Sequence, residues 1–442
     1  MNKNNNFPSF RNAFSDTVIL TFMNSALAII AAIFLARYLG PSSRGELAII
    51  ITSVTILSAF TDIYQGGNEI TLGKNGNLLP KILTITIIGG LLFTSLIFLI
   101  IQNNGASNFF LSSDNFYIKL VSCIFFFQLV LYDGLKRILN AKQEFFFINR
   151  IDFFHSCFYL LILITSVIYL EIKVLGVLVI LCAVNGVRLF LVLYKIYFYI
   201  KSLKFNDHTF EDKWYIEFFR IGKRNFLWSI PYALIQRVSI WQIAFYSSNE
   251  NVGIFRVATT ITEIILMIPR SANAITRGKA VSEDGGWQRS LYTSKIVFIF
   301  GIITMIFFIL FGWFLVPLVF GIEYLLVYNL GIILLASVSF MGSVFVLEAQ
   351  IVSKMKFPTN LIFINYFCLF ILLVLNMFLI PKFGILSAGY AFLITSFSLY
   401  LMYNLAFVRF ASMKKRDIFL LTSFDIDTTK ELFRTIKKKF KV

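Results

Sequence analysis

Twelve apolar runs of about 20 residues recur along the whole chain, each bounded by a short polar or basic connection. A helix of that length spans the ~30 Å of a bilayer's hydrocarbon. Inside hydrocarbon every backbone N–H and C=O must find its partner within the protein, which leaves helices or a closed barrel. The runs are twice the length of a barrel strand and lack period-two alternation, so the expected fold class is an all-α integral membrane protein with twelve transmembrane helices. Hydrophobic residues make up 58% of the 442 positions, with 52 Phe, and this excludes a soluble multidomain chain.

The runs fall at about 14–38, 47–66, 82–101, 118–139, 153–170 and 174–199. Two more lie within 225–270, followed by 295–314, 326–347, 360–379 and 385–408. Gly40-Pro41 is expected to stop the first helix and Gly45 to permit a tight return. The Asn-rich stretch at 102–115 reads as a loop. Residues 201–224 form the longest connection, and their basic residues with Trp214, Phe218 and Phe219 suit the headgroup region. The C-terminal stretch KELFRTIKKKF is basic and amphipathic, fit to rest on an anionic leaflet. The expected division is 1–200 and 225–410 as two six-helix bundles, 201–224 as an interfacial linker and 411–442 as a tail.

A net charge of +17 would hint at nucleic acid in a soluble chain. Here it gives orientation. The N-terminus, every second connection after it and the tail hold 32 of the 40 Lys and Arg. The positive-inside rule then puts both termini in the cytoplasm, with an even number of spans. No nucleic-acid partner is expected. The four cysteines each sit in an apolar run and read as small packing residues. Two distant histidines without acidic or Cys clusters offer no metal site. The first run is long enough to span and lacks a following cleavage site, so no signal peptide is expected.

Charges within the runs are few. Arg256, Glu263, Arg270 and Arg277 recur every seven residues, so they share one stripe of one helix. Charges at membrane depth face a bundle interior or a water-filled path, and the stripe is the candidate wall of such a path. Arg188 and Arg237 also lie at depth, whereas Lys is nearly absent there. The alternative for each arginine is pairing with Glu263, Asp62 or Glu348 simply to join helices.

The halves repeat at a nearly constant offset. Phe10-Arg11 pairs with Phe219-Arg220, Gly45 with Gly253, Ala-Lys142-x-x-Phe145 with Ser-Lys354-x-x-Phe357, and Gly176 with Gly389. Six spans separate the equivalents, so the halves share one topology about an axis along the membrane normal. Such repeats place a substrate site between halves and alternate access by rocking.

Three stretches carry a family resemblance: LARYLGPSSRGEL after the first run, NVGIFRVATTITEIILMIP in the eighth, and NMFLIPKFGILSAGYAFLITS joining the last two. They resemble the polysaccharide flippases (Wzx-type, O-antigen translocases) of the multidrug/oligosaccharidyl-lipid/polysaccharide exporter superfamily, over about residues 10–410. The resemblance implies two six-helix bundles around a central cavity, a MATE-like fold. It also implies transport of an undecaprenyl-diphosphate-linked oligosaccharide from the cytoplasmic to the periplasmic leaflet of a bacterial inner membrane. A monomer is expected, with the polymerase and chain-length regulator of the same pathway as candidate partners.

Guanidinium suits that cargo, because its planar fork binds phosphate bidentately and never loses its charge. The candidate cavity residues are therefore Arg237, Arg256, Arg270 and Arg188, with Gln236, Asn24 and Trp241 beside them for sugar hydroxyls and rings. Glu263 and Asp62 are candidates for coupling to H+ or Na+, and no other cofactor is expected. Arg37 and Arg44 near the outer end, and Glu348 near the inner end, are gate candidates. Three other functions compete. A cation-coupled drug antiporter of the same superfamily calls for an acidic cavity. A membrane polysaccharide polymerase needs a large extramembrane loop, and no connection on the outer side exceeds roughly 18 residues. An ion channel has no filter-like loop to support it.

Overall fold

The computed structural model describes residues 10–170, 172–202, 213–271, 273, 286–355, 359–413, 416–419, 422, 424–425 and 430. Arg277 and the amphipathic tail stretch beyond Lys430 lie outside them. All the regular structure of the described residues is helical. Nine helices are long and apolar enough to cross a membrane among these residues. Packing divides the chain into two compact units. The first comprises Met1–Thr260, Phe314–Leu330 and Leu373–Ala388, and the second Ile261–Trp313, Gly331–Leu372 and Gly389–Val442.

The first unit opens with α1 (Phe10–Ala59), whose helical run breaks at one residue, Gly40, with φ 69° and ψ 173°. The break has a local cause. Pro41 pushes its predecessor out of the helical region, and glycine takes positive φ without a Cβ clash. Helix resumes at once, so Gly45 sits inside a helix and not in a return loop. Short helices α2 (Asp62–Gln65) and α3 (Asn68–Lys74) follow, then α4 (Leu79–Ile101) with Pro80 in its first turn, where the missing N–H costs nothing.

The stretch expected as a loop holds a further helix, α5 (Asn104–Leu111). The Asn103 side chain accepts hydrogen bonds from the Gly105 and Ala106 N–H groups and so caps it. Asn density marked a helix start there, and the polar composition concealed the helix. Next come α6 (Phe116–Ala141), α7 (Phe145–Leu170), α8 (Val174–Ser202), α9 (Trp214–Tyr246) and α10 (Asn249–Ile265). α9 begins within the stretch read as a linker, of which 203–212 lie outside the described residues. In this unit α1 packs on α7 and α9, and α6 lies between α4 and α8. The apolar core groups Leu135, Ile138 and Leu139 of α6 with Ile82 of α4, Ile148 of α7 and Val192 of α8.

The second rod of α1 crosses α10 with backbones touching. A Cβ on Gly45 would fall on the Asn249 carbonyl, and a Cβ on Gly253 would fall on the Pro41 carbonyl. Side chains larger than hydrogen are excluded at both positions.

The second unit contains α11 (Trp287–Phe320) as far as Trp313, most of α12 (Leu326–Met355), the first half of α13 (Thr359–Phe383) and most of α14 (Ile385–Ala411). Phe340 of α12 packs on Phe298 of α11 and on Phe397 and Tyr400 of α14. Gly301 gives α11 a close approach to Ser339 of α12. Both units use the same asparagine bridge. Asn68 Nδ2 donates to the Gly134 carbonyl at 3.3 Å in the first, and Asn273 Nδ2 donates to the Phe345 carbonyl at 2.6 Å in the second.

Candidate functional site

Within the first unit, charged side chains from four helices converge. On α6, Tyr132, Asp133, Lys136 and Arg137 repeat at i and i+4, so they share adjoining stripes. Arg137 Nη2 is ion-paired with Asp62 of α2. Asp152 of α7 accepts from Lys136 at 3.0 Å and from the Tyr132 hydroxyl, and pairs with Arg188 of α8 at 3.3 Å. Arg188 also donates to Asn185 Oδ1 and lies 3.7 Å from the Tyr132 ring centroid. Asp133 feels the charges of Arg137, Lys136, Arg188 and Asp62. Three cations thus meet three carboxylates. Near-neutrality is what a low-dielectric site demands, since an unbalanced buried charge costs several kcal/mol.

Two predicted residues therefore sit in one network, Arg188 through Asp152 and Asp62 through Arg137. Sequence reasoning counted Lys136 and Arg137 with a basic connection and did not single out Asp152. The i, i+4 spacing of Asp133 with Arg137, continuing an apolar helix without a breaker, was the available signal.

The remaining candidates of this unit are distributed along α1, α9 and α10. Trp241 donates its indole N–H to Ser53 Oγ at 2.8 Å and packs on Phe109 and Phe110 of α5. Its ring and its donor are used in joining helices, so α5 decides its role. Arg237 and Arg256 are half-buried, the latter 3.5 Å from Thr259 Oγ1. Asn24 Oδ1 and Gln236 Nε2 are buried atoms without a hydrogen-bond partner among the described residues. Such atoms in a membrane protein are suited to a polar ligand.

The outer-end pair divides. Arg37 donates through Nε to the Val319 carbonyl at 2.8 Å and through Nη2 to the Leu318 carbonyl. These are last-turn carbonyls of α11, which have no partner within their helix and favour a cation. Arg44 is buried, and its charge is felt at Tyr159 and Tyr324. Tyr324 in turn donates to the Ala36 carbonyl at 3.1 Å. In the second unit Glu263 is half-buried, Arg270 is exposed and Glu348 is buried. No group of three or more His, Cys, Asp or Glu suited to a metal occurs among the described residues.

No family model and no curated protein sequence matches the chain. Solved structures do. The chain is similar to the lipid II flippase MurJ in an inward closed conformation, with TM-score 0.70 and 14% identity over 88% of this chain and 87% of that one. It is similar to an inward-facing multidrug resistance MATE family transporter of the MOP superfamily, with TM-score 0.66 and 13% identity over 89% and 94%. A mutant of the Vibrio cholerae MATE transporter VcmN gives TM-score 0.61 and 12% identity over 90% and 96%. The fold is that of the MATE and MurJ membrane transporters, and the chain is a multi-pass membrane protein.

Proposed function

We propose that this transporter is a flippase for an undecaprenyl-diphosphate-linked oligosaccharide, an O-antigen or capsule precursor, carried from the cytoplasmic to the periplasmic leaflet. One observation carries the choice of an anionic cargo. Two carboxylates of the first unit are already ion-paired, Asp62 to Arg137 and Asp152 to Lys136 and Arg188. A cationic drug would have to break an ion pair to reach either of them. Arg237 and Arg256 bring guanidinium groups to consecutive helices of the same unit, which suits a diphosphate.

The similarity to MurJ, a flippase for lipid II, supports a lipid-linked cargo. The similarity to MATE transporters keeps the drug antiporter as the rival. On our reading the cavity lies between two six-helix halves, 1–200 and 225–410, both termini are cytoplasmic, and the membrane is the bacterial inner membrane. Glu263 and Asp62 serve as coupling groups for H+ or Na+ on the same reading, Asp62 by exchanging its pairing with Arg137 for the ion.

Sealed vesicles carrying a labelled undecaprenyl-diphosphate oligosaccharide in one leaflet test the proposal. The native protein should move the label to the other leaflet, and Arg237→Ala and Arg256→Ala should abolish movement while still folding. Extrusion of a cationic dye, with no movement of the lipid-linked sugar, would establish the antiporter instead.

A further inference from the structure

The first three turns of α9 have one face committed to protein and one face exposed. On the committed face Phe218 is fully buried, and a Cβ on Gly222 would fall on the Ile63 carbonyl. A Cβ on Gly67 would come within 2.7 Å of the Phe218 carbonyl. Asn225 Nδ2 donates to the Gly66 carbonyl at 2.6 Å, and Lys74 of α3 holds Glu217 at 2.6 Å. Backbone meets backbone here, so α9 is seated rigidly on α2 and α3.

At 100° per residue the opposite face runs from Tyr215 and Phe219 on one edge, through Ile216 and Lys223, to Arg220 on the other. Tyr215, Ile216 and Phe219 are 48%, 51% and 47% exposed, and Arg220 and Lys223 are exposed as well. Glu217 is the one acidic residue between Trp214 and Asn225, and Lys74 neutralises it. The exposed face therefore carries positive charge beside aromatic and apolar side chains on a fixed helix. Rings of this kind settle at the boundary of headgroups and acyl chains, while Arg and Lys extend to phosphates.

We infer that this face binds the phosphate headgroups of the bilayer's own anionic phospholipid. Arg220 and Lys223 donate to the phosphate, and Tyr215 and Phe219 seat the glycerol and upper acyl chain. Lipid bound on the outer face clamps the opposite face against α2 and α3. The inference goes beyond the proposed function and does not depend on what the transporter carries.

Native mass spectrometry of the full-length chain tests it, with phosphatidylglycerol, phosphatidylcholine and undecaprenyl phosphate as separate probes. The native protein should retain phosphatidylglycerol and release phosphatidylcholine. Arg220→Gln with Lys223→Gln should weaken phosphatidylglycerol retention roughly thirtyfold, and Arg220→Lys should preserve it. Phosphatidylglycerol should raise the melting temperature of the native protein in nanodiscs and leave that of the double variant unmoved. Equal retention by the double variant, or equal retention of phosphatidylcholine, would overturn the site. Retention of undecaprenyl phosphate with none of phosphatidylglycerol would overturn the assigned lipid.

Discussion

Gly45 and Gly253 stand in the same relation to each other read in either direction. Gly45 faces the carbonyl of Asn249, four residues before Gly253, and Gly253 faces the carbonyl of Pro41, four residues before Gly45. Both pairs, Gly45 with Gly253 and Pro41 with Asn249, are offset by 208 positions. A contact that maps onto itself under that exchange lies on a local two-fold axis. The repeat read from short sequence matches thus has a physical counterpart where α1 and α10 touch.

That contact predicts a sharp contrast among glycines. Gly45→Ala and Gly253→Ala should each destabilise the protein by about 1–3 kcal/mol, the usual cost of overpacking. Gly73→Ala is the control, because a Cβ there meets nothing within 4 Å. It should be neutral or stabilising by roughly 0.5–1 kcal/mol, since Gly73 lies in helix α3. Thermal unfolding in detergent distinguishes them, and equal melting temperatures for all three variants would contradict the crossing.

Asp152→Asn should be among the most harmful changes in the first unit. It removes the carboxylate shared by Lys136 and Arg188 and leaves the largely buried Arg188 without its ion-pair partner, a loss of about 3 kcal/mol. Adding Arg188→Met should recover part of that loss. A double-mutant cycle on unfolding free energies measures the coupling, and strict additivity would show that the pair is not energetically linked.

The two asparagine bridges should behave alike. Asn68→Ala and Asn273→Ala each remove the second hydrogen bond accepted by a helical carbonyl of the facing helix, at a cost of about 0.5–1.5 kcal/mol. Hydrogen exchange should report the first near Gly134 and the second near Phe345. Global loss of protection from either change would argue against two separately packed units.

Acid should loosen the second unit through Asp425. Burial pushes its carboxyl up, but the hydrogen bond from Lys295 and the N–H of Thr422 outweigh that and hold it below the usual carboxylate range. A depressed folded pKa contributes stability above the unfolded value near 3.9. That contribution is lost as pH falls through the lower, folded value. Asp425→Asn should therefore be less stable than the native protein at pH 7, and the gap should close in strong acid. Melting curves across that range check it, and a constant gap would remove Asp425 as the titrating group.

Membrane character and helical fold class were legible in sequence because each rests on a pattern that survives without coordinates. Run length against bilayer thickness requires spanning helices. Gly40-Pro41 likewise predicts its own break, because the clash is between neighbours in the chain. The partners of the charges were not legible. Arg188 meets Asp152 across 36 positions and Arg137 meets Asp62 across 75, and no periodicity encodes which helix faces which. Nor does sequence encode that Trp241 meets Ser53, Phe109 and Phe110. Hydrophobicity acts on each segment alone and so is written locally. Ion pairing depends on a few ångströms between segments distant in sequence, and only packing of the whole unit sets those distances.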